Sequence, residues 1–135
     1  MANEAVIIEL LGNQGDPIRY TVADGTGIEK GTIMELTDPR TMQAMSAVDK
    51  PFCGIAAAEK VASDGSTTLA VYTNGIFDLT CAAGGTATLG QRVSSAAGDN
   101  TITVASTLDN EKGYTLGQAL ETGSNNEVIA VRVLL

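Results

Sequence analysis

Short apolar runs, separated by glycine and small polar residues, recur along the chain about every ten residues. The runs are rich in Val, Ile, Thr and Ala, and turn-forming dipeptides such as Asp24-Gly25 and Asp64-Gly65 stand between them. This pattern is typical of an all-β barrel or sandwich and not of alternating βα units. We therefore predict a mainly β, compact, barrel-like single domain with at most one or two short helices.

Residues 68–81 (TLAVYTNGIFDLTC) contain the clearest local signal. Asn74-Gly75 favours a two-residue type I′ turn, because both central positions of that turn need a positive φ. The segment is therefore predicted to be a β-hairpin, and the turn fixes which residues lie opposite each other. The cross-strand pairs predicted to share the core face are Tyr72 with Phe77 and Ala70 with Leu79.

The run at residues 127–135 (EVIAVRVLL) has apolar side chains at both odd and even positions. It is predicted to be a central strand, or a strand whose outer face meets a neighbouring subunit. Arg132 is interpreted as an edge residue, or as one that extends its charged end to solvent, in preference to a ligand contact. The other predicted strands are residues 18–22, 32–36, 54–58, 92–94, 101–104 and 114–120.

Two segments are ambiguous between strand and helix. Residues 41–48 fit a helix with Asp38 as its N-cap and Pro39 in its first turn. Alternatively, residues 38–40 form a turn, and residues 41–46 are a strand that returns antiparallel to residues 32–36. Residues 56–62 (AAAEKVA) fit a short helix or the end of a strand. The pattern decides neither case.

The first sixteen residues stand apart from residues 17–135, which are predicted to be the β-rich domain. Residues 5–11 are apolar apart from Glu9, and the polar link GNQGD follows them. The segment is either an ordinary first strand or an extended arm that adds to something outside the domain. Fully extended, it would reach roughly 50 Å.

The charge balance excludes several classes of partner. The chain has 8 Lys and Arg against 16 Asp and Glu, a net charge of −8. This disfavours binding to nucleic acid or to an anionic membrane, because there is no cationic surplus to pair with phosphates. We also expect no signal peptide and no membrane-spanning segment, because the apolar runs are short and no basic region precedes them.

No catalytic or cofactor motif is found, and the 135 residues include no histidine, so a Ser–His or Cys–His pair is ruled out. Asp78, on a predicted strand, is interpreted as a structural acid or a subunit contact, and Asp64-Gly65-Ser66 as a turn, since the calcium-loop pattern is incomplete. Cys53 and Cys81 lack metal-site spacing and are interpreted as small, buried, inert thiols kept reduced inside a cell, while their pairing in an oxidising environment stays open. Residues 109–112 are predicted to be a solvated loop. No cofactor, metal ion or small-molecule substrate is expected.

Several segments together resemble the head decoration, or capsid cement, proteins of tailed phages. They recur in the family's order and cover most of the chain, although each is short. The segments are GDPIRY (15–20), IEKGT (28–32), KPFCGIA (50–56), DGS (64–66), YTNGIFD (72–78), GQRV (90–93) and GQALE (117–121).

The resemblance implies a compact fold of the β-tulip type and a structural virion protein, not an enzyme. Such a protein would be made in the host cytoplasm, form a homotrimer on the outer capsid surface and cement contacts between subunits of the major capsid protein. An N-terminal segment grips the capsid in this family. Here that role would fall on Ala5, Val6, Ile7, Ile8, Glu9, Leu10 and Leu11.

Two other classes of function stay open at this stage. The chain could be a stand-alone β-barrel module that binds a small ligand, a peptide or a carbohydrate, although no ligand signature supports this. It could also be a small hydrolase that uses paired carboxylates, which the lack of histidine disfavours.

Overall fold

A computed structural model describes residues 2–9, 17–96 and 98–135. The described chain is mainly β with one short helix, as the spacing of apolar runs predicted. The strands are β1 (Val6–Glu9), β2 (Ile18–Thr21), β3 (Ile33–Asp38), β4 (Thr41–Ala44), β5 (Phe52–Ala56), β6 (Thr68–Tyr72), β7 (Asn74–Cys81), β8 (Thr86–Ala87), β9 (Arg92–Ser95), β10 (Thr101–Val104), β11 (Gly117–Ala119), β12 (Gly123–Ser124) and β13 (Val128–Leu134). The helix, α1, is Thr107–Lys112.

The strands form two main sheets, each with its own apolar interior. Strands β2, β4, β3, β5 and β6 close into a barrel. The second sheet has the order β1-β7-β10-β9-β11-β13 and returns on itself, because β13 also pairs with β7. One buried cluster, which includes Val22, Met34 and Val71, fills the barrel. The other, which includes Phe77, Val93 and Val131, fills the six-stranded sheet.

The predicted hairpin at Asn74-Gly75 is wrong. Strand β6 pairs with β2 and β5, whereas β7 pairs with β1, β10 and β13, so the chain passes from the barrel to the other sheet at Thr73. Asn74 does not have the positive φ that a type I′ turn needs, and Gly75, at φ 152°, lies inside β7 opposite Val133. The seven residue pairs between β13 and β7 replace the pairing that the local turn would have given.

The faces of these two strands follow from that change. Phe77 and Leu79 are buried as predicted, but on β6 the buried residues are Leu69 and Val71 and not Ala70 and Tyr72. Tyr72 and Phe77 still touch, with ring centroids 6.0 Å apart, across the junction of the two sheets. Their contact is therefore tertiary packing between sheets.

The other strand predictions are largely confirmed. Strand β13 is central, between β7 and β11, and its inward residues Ile129, Val131 and Val133 are buried. Of the two alternatives for the segment that begins at residue 41, the turn followed by a strand is confirmed, because β4 pairs antiparallel with β3. Residues 56–62 contain no helix, so there the alternative of a strand end holds.

The helix forms where a solvated loop was predicted, so that prediction is wrong. Ser106 caps its N-terminus by accepting from the Asp109 backbone N–H, and the Asp109 carboxylate accepts from the Ser106 backbone N–H in return. Gly113 ends the helix in the left-handed conformation. Asp109 is buried because its carboxylate also accepts from the Ser94 hydroxyl at 2.8 Å.

Candidate functional site

The first candidate surface is the edge strand β1, which contains Val6 to Glu9 of the predicted binding segment. It pairs antiparallel with β7, with Val6 opposite Asp78 and Ile7 opposite Phe77, and a bulge precedes Glu9. Among the described residues, β7 is the only strand that pairs with β1. Its other edge therefore presents backbone groups that a further strand could pair with.

The side chains of this segment divide between the core and the surface. Ala5 is buried and Ile7 packs against the core of the six-stranded sheet. Val6 and Ile8 are 57% and 51% exposed, so two large apolar side chains of this strand face solvent. Leu10 and Leu11, the last two predicted binding residues, lie outside the described residues.

Asn100 holds the N-terminal segment in place. This buried side chain donates from Nδ2 to the carbonyl oxygens of Asn3 at 2.8 Å and Gly31 at 3.1 Å, and its Oδ1 accepts from the Ile33 backbone N–H at 2.7 Å. Ala5 N–H donates to the same Gly31 oxygen at 2.8 Å. The segment before β1 is thus joined to the start of the barrel strand β3 and to the turn before β10.

Gly31 makes this docking possible. Its φ is +88°, and a Cβ there would lie 2.7 Å from the Ala5 carbonyl oxygen and 2.8 Å from the Ala5 nitrogen. Only glycine combines that backbone conformation with so close an approach of another chain segment. Residues 2–9 thus pack on the domain, with Val6–Glu9 as an edge strand of its six-stranded sheet.

Asp78, the acid predicted within a strand, lies on the outward face of β7. Its neighbours across the sheet are Val6 on β1 and Ala130 on β13. Neither neighbour is an acid or a base, so the sheet does not pair Asp78 with the second carboxylate that a glycosidase-type reaction needs.

Both cysteines are buried free thiols. Burial, and then the nearby Glu35 carboxylate, raises the pKa of Cys53 to about 12. Burial, and then Glu127, raises the pKa of Cys81. A thiol with a raised pKa holds little nucleophilic thiolate at neutral pH, which supports the interpretation of both as inert.

The predicted turn at Asp64-Gly65-Ser66 is closed by a buried lysine, which the sequence analysis missed. Lys60 Nζ lies 3.0 Å from Asp64 Oδ1 and 3.2 Å from Asp24 Oδ1, and also donates to the carbonyl oxygens of Asp24 and Val61. The ammonium group thus occupies the centre of the loop. Within the described ranges, no group of three or more acidic, cysteine or histidine side chains is arranged to hold a metal ion.

A cavity of about 170 Å³ opens beside the β3–β4 hairpin. Its lining has no charged side chain and consists of Ala23, Thr26, Ile28, Thr37, Thr41, Met42, Gln43 and Ala44. Small-molecule sites commonly have volumes of roughly 300–1,000 Å³ and a few converging polar groups. The cavity therefore gives little support to the small-ligand alternative.

No helix in the described part of the chain has the length and apolar character to cross a membrane. A family model described as phage cement protein matches residues 12–135. A search of curated proteins returned no match.

Proposed function

The chain belongs to the phage cement protein family, and we propose that it binds the outer surface of an assembled capsid and cements contacts between subunits of the major capsid protein. The family is one of structural phage proteins and not of enzymes, which gives the chain a capsid-stabilising role in the virion. We also propose a β-tulip type of fold, a homotrimeric assembly, and synthesis in the host cytoplasm without nucleic-acid or membrane partners.

The observation that carries the proposal is the exposed edge of β1. Val6 and Ile8 are exposed on a strand that the rest of the domain holds rigidly through Asn100 and Gly31. An extended segment of a capsid subunit could pair with the open edge through main-chain hydrogen bonds. Each buried apolar side chain would add roughly 25 cal/mol per Å² to that contact. Residues 5–11 are thus proposed as the capsid-binding segment.

Cementing follows from having several such contacts on one particle. A trimer that touches several capsid subunits must lose its contacts before the subunits can separate. Linked contacts reinforce each other through effective concentration, so modest individual affinities suffice.

The test is binding to capsid shells assembled from the major capsid protein alone, measured by co-sedimentation. In the first variant, Val6→Ser and Ile8→Ser are combined, which removes exposed apolar surface and leaves the buried Ala5 and Ile7 in place. We expect at least about tenfold weaker binding, equivalent to about 1.4 kcal/mol. Shells with the wild-type protein should also resist heating better than bare shells.

The matched control combines Val48→Ser and Val61→Ser, which remove valines of similar exposure, 48% and 60%, outside β1. It should bind like wild type. Equal binding by both double variants would contradict the assignment to β1, and wild-type protein that ignores the shells would contradict the cement function. Deleting residues 1–11 is a poorer test, because it also removes core side chains.

A further inference from the structure

Three polar side chains form a row across the outer face of the six-stranded sheet. Gln118 on β11 lies opposite Arg92 on β9 and opposite Arg132 on β13. Val93, which follows Arg92, and Val131 and Val133, on either side of Arg132, are fully buried. Because side chains alternate along a strand, the three polar side chains point away from the core.

These side chains line a pocket of about 130 Å³, together with Leu134. Arg132 Nη2 donates to Asn74 Oδ1 at 2.9 Å, which fixes the guanidinium group. Its Nε–H is withdrawn from water and has no acceptor among the described residues. Among the described residues, neither Arg92 nor Arg132 forms an ion pair with a carboxylate.

The same row continues to the proposed capsid-binding strand. Ile76 on β7 lies opposite Arg132 on one side and opposite Glu9 of β1 on the other. The pocket and β1 therefore belong to one continuous outer surface of the sheet. A partner that docks along β1 also comes close to the pocket.

We propose that the pocket formed by Arg92, Gln118 and Arg132 binds an aspartate or glutamate side chain of a capsid subunit. This inference rests on the proposed function and adds a second, charge-dependent anchor beside β1. Guanidinium groups match the planar carboxylate and bind it through paired N–H donors. The pocket has room for one small anionic group, and the net charge of −8 opposes a polyanion such as nucleic acid.

The main test is the variant Gln118→Glu, which places a carboxylate of the chain itself between the two arginines. Because this side chain is exposed, the fold should tolerate the change, and a thermal melt checks it. We expect about tenfold weaker binding to capsid shells, and a binding constant that depends less on salt than that of wild type. Arg92→Gln should have the same effect. Lys50→Gln, an exposed residue with the same change in charge, should bind like wild type.

A second measurement tests the pocket without shells. Wild-type protein is titrated with acetate against chloride at constant ionic strength, and the Arg132 Nε–H resonance is followed by NMR. A shift in wild type and Lys50→Gln, but not in Gln118→Glu, is expected. No shift in wild type, or unchanged shell binding by Gln118→Glu, overturns the proposal even where the wild type binds shells through β1. If the wild-type protein does not bind shells at all, the proposed function is wrong. A capsid subunit is then also ruled out as the source of the carboxylate in the pocket. The acetate titration then decides whether the carboxylate site exists.

Discussion

Lys60 is a charged residue whose side chain is almost completely buried. Burial alone would lower its pKa, but the hydrogen bonds and charges of Asp64 and Asp24 outweigh that effect and leave the pKa raised. Asp64 has a lowered pKa, because it accepts from the Ser66 backbone N–H and from Lys60. The charged forms of both groups are therefore favoured by folding, and their titration must be linked to stability.

We predict that Lys60→Met lowers the urea midpoint of unfolding at neutral pH, since it leaves four oxygen acceptors without their common donor. A raised lysine pKa gives a contribution that is complete below the ordinary value of about 10.4 and is lost as the pH rises through the folded value. The lowered pKa of Asp64 gives a contribution that is complete above about 3.9 and is lost as the pH falls through the folded value. The difference in urea midpoint between wild type and Lys60→Met should therefore become smaller at both acid and alkaline pH.

Urea unfolding from acid to alkaline pH measures this difference in midpoint, with Lys50→Met as the control for loss of an exposed lysine. The control should follow the wild type throughout. If the two midpoints differ by the same amount across the whole pH range, Lys60 acts only through the packing of its aliphatic stem.

Residue identity alone could predict part of this chemistry. The lack of histidine and the absence of metal spacing disfavoured most catalytic and metal sites, and the two thiols are buried as interpreted. The roles of Lys60 and Asn100 could not be predicted, because Asp24, which completes the Lys60 site, and the partners of Asn100 are far away in sequence. Asn100 bonds to Asn3 and Ile33, and no local pattern connects those positions.

At the scale of elements, local periodicity located most strands but did not determine their partners. Residues 101–104 were predicted as a strand and form β10 with the same bounds. The hairpin failed because Asn74-Gly75 is a local preference of small energy, while β7 gains long pairings with β1 and β13 on both of its edges. Tertiary pairing outweighs a turn signal when it satisfies more backbone groups.

The first strand depends on Gly31, which leads to a prediction about its docking. Gly31→Ala introduces both an unfavourable positive φ and a clash with the Ala5 backbone, so the N-terminal segment must move. Gly90→Ala is the matched control, because Gly90 has a φ of +86° with nothing within 4 Å of the added Cβ. Each variant should lose about 1–2 kcal/mol of stability to backbone strain. Only Gly31→Ala should lose more.

Hydrogen exchange of the Ala5 amide, which donates to the Gly31 carbonyl oxygen, separates the two effects. We expect faster exchange at this amide in Gly31→Ala, because displacement of the segment breaks its hydrogen bond, and little change in Gly90→Ala. Binding to capsid shells should fall only in Gly31→Ala. Equal free energies of unfolding and equal exchange in the two variants would mean that β1 does not depend on the close approach at Gly31.

The whole molecule combines a rigid two-sheet body with a strongly acidic composition. Copies with a net charge of −8 repel each other, so a trimer must gain enough from apolar contacts to overcome that repulsion. On the central strand β13, Val128 lies at the opposite end from Leu134 and is exposed, so it offers apolar surface for such a contact. The apolar pattern of residues 127–135 left a central strand and a strand that meets a neighbouring subunit as alternatives. The structure has the central strand, and the subunit contact stays a prediction.

The last prediction concerns the mass of the protein in solution. We expect light scattering to give three times the chain mass of 13.8 kDa, and a trimer that resists dilution better as salt is added, because salt screens the repulsion between copies.

Combined Val6→Ser and Ile8→Ser should leave the mass unchanged, since these residues are proposed to face the capsid. Val128→Ser should shift the mass towards the monomer, because Val128 is proposed to lie at the subunit contact. A trimer that is lost with the β1 pair and kept with Val128→Ser would reverse the two assignments, because β1 would then join copies of the chain. Monomers at every salt concentration would place any trimer formation on the shell itself, where capsid contacts and subunit contacts form together.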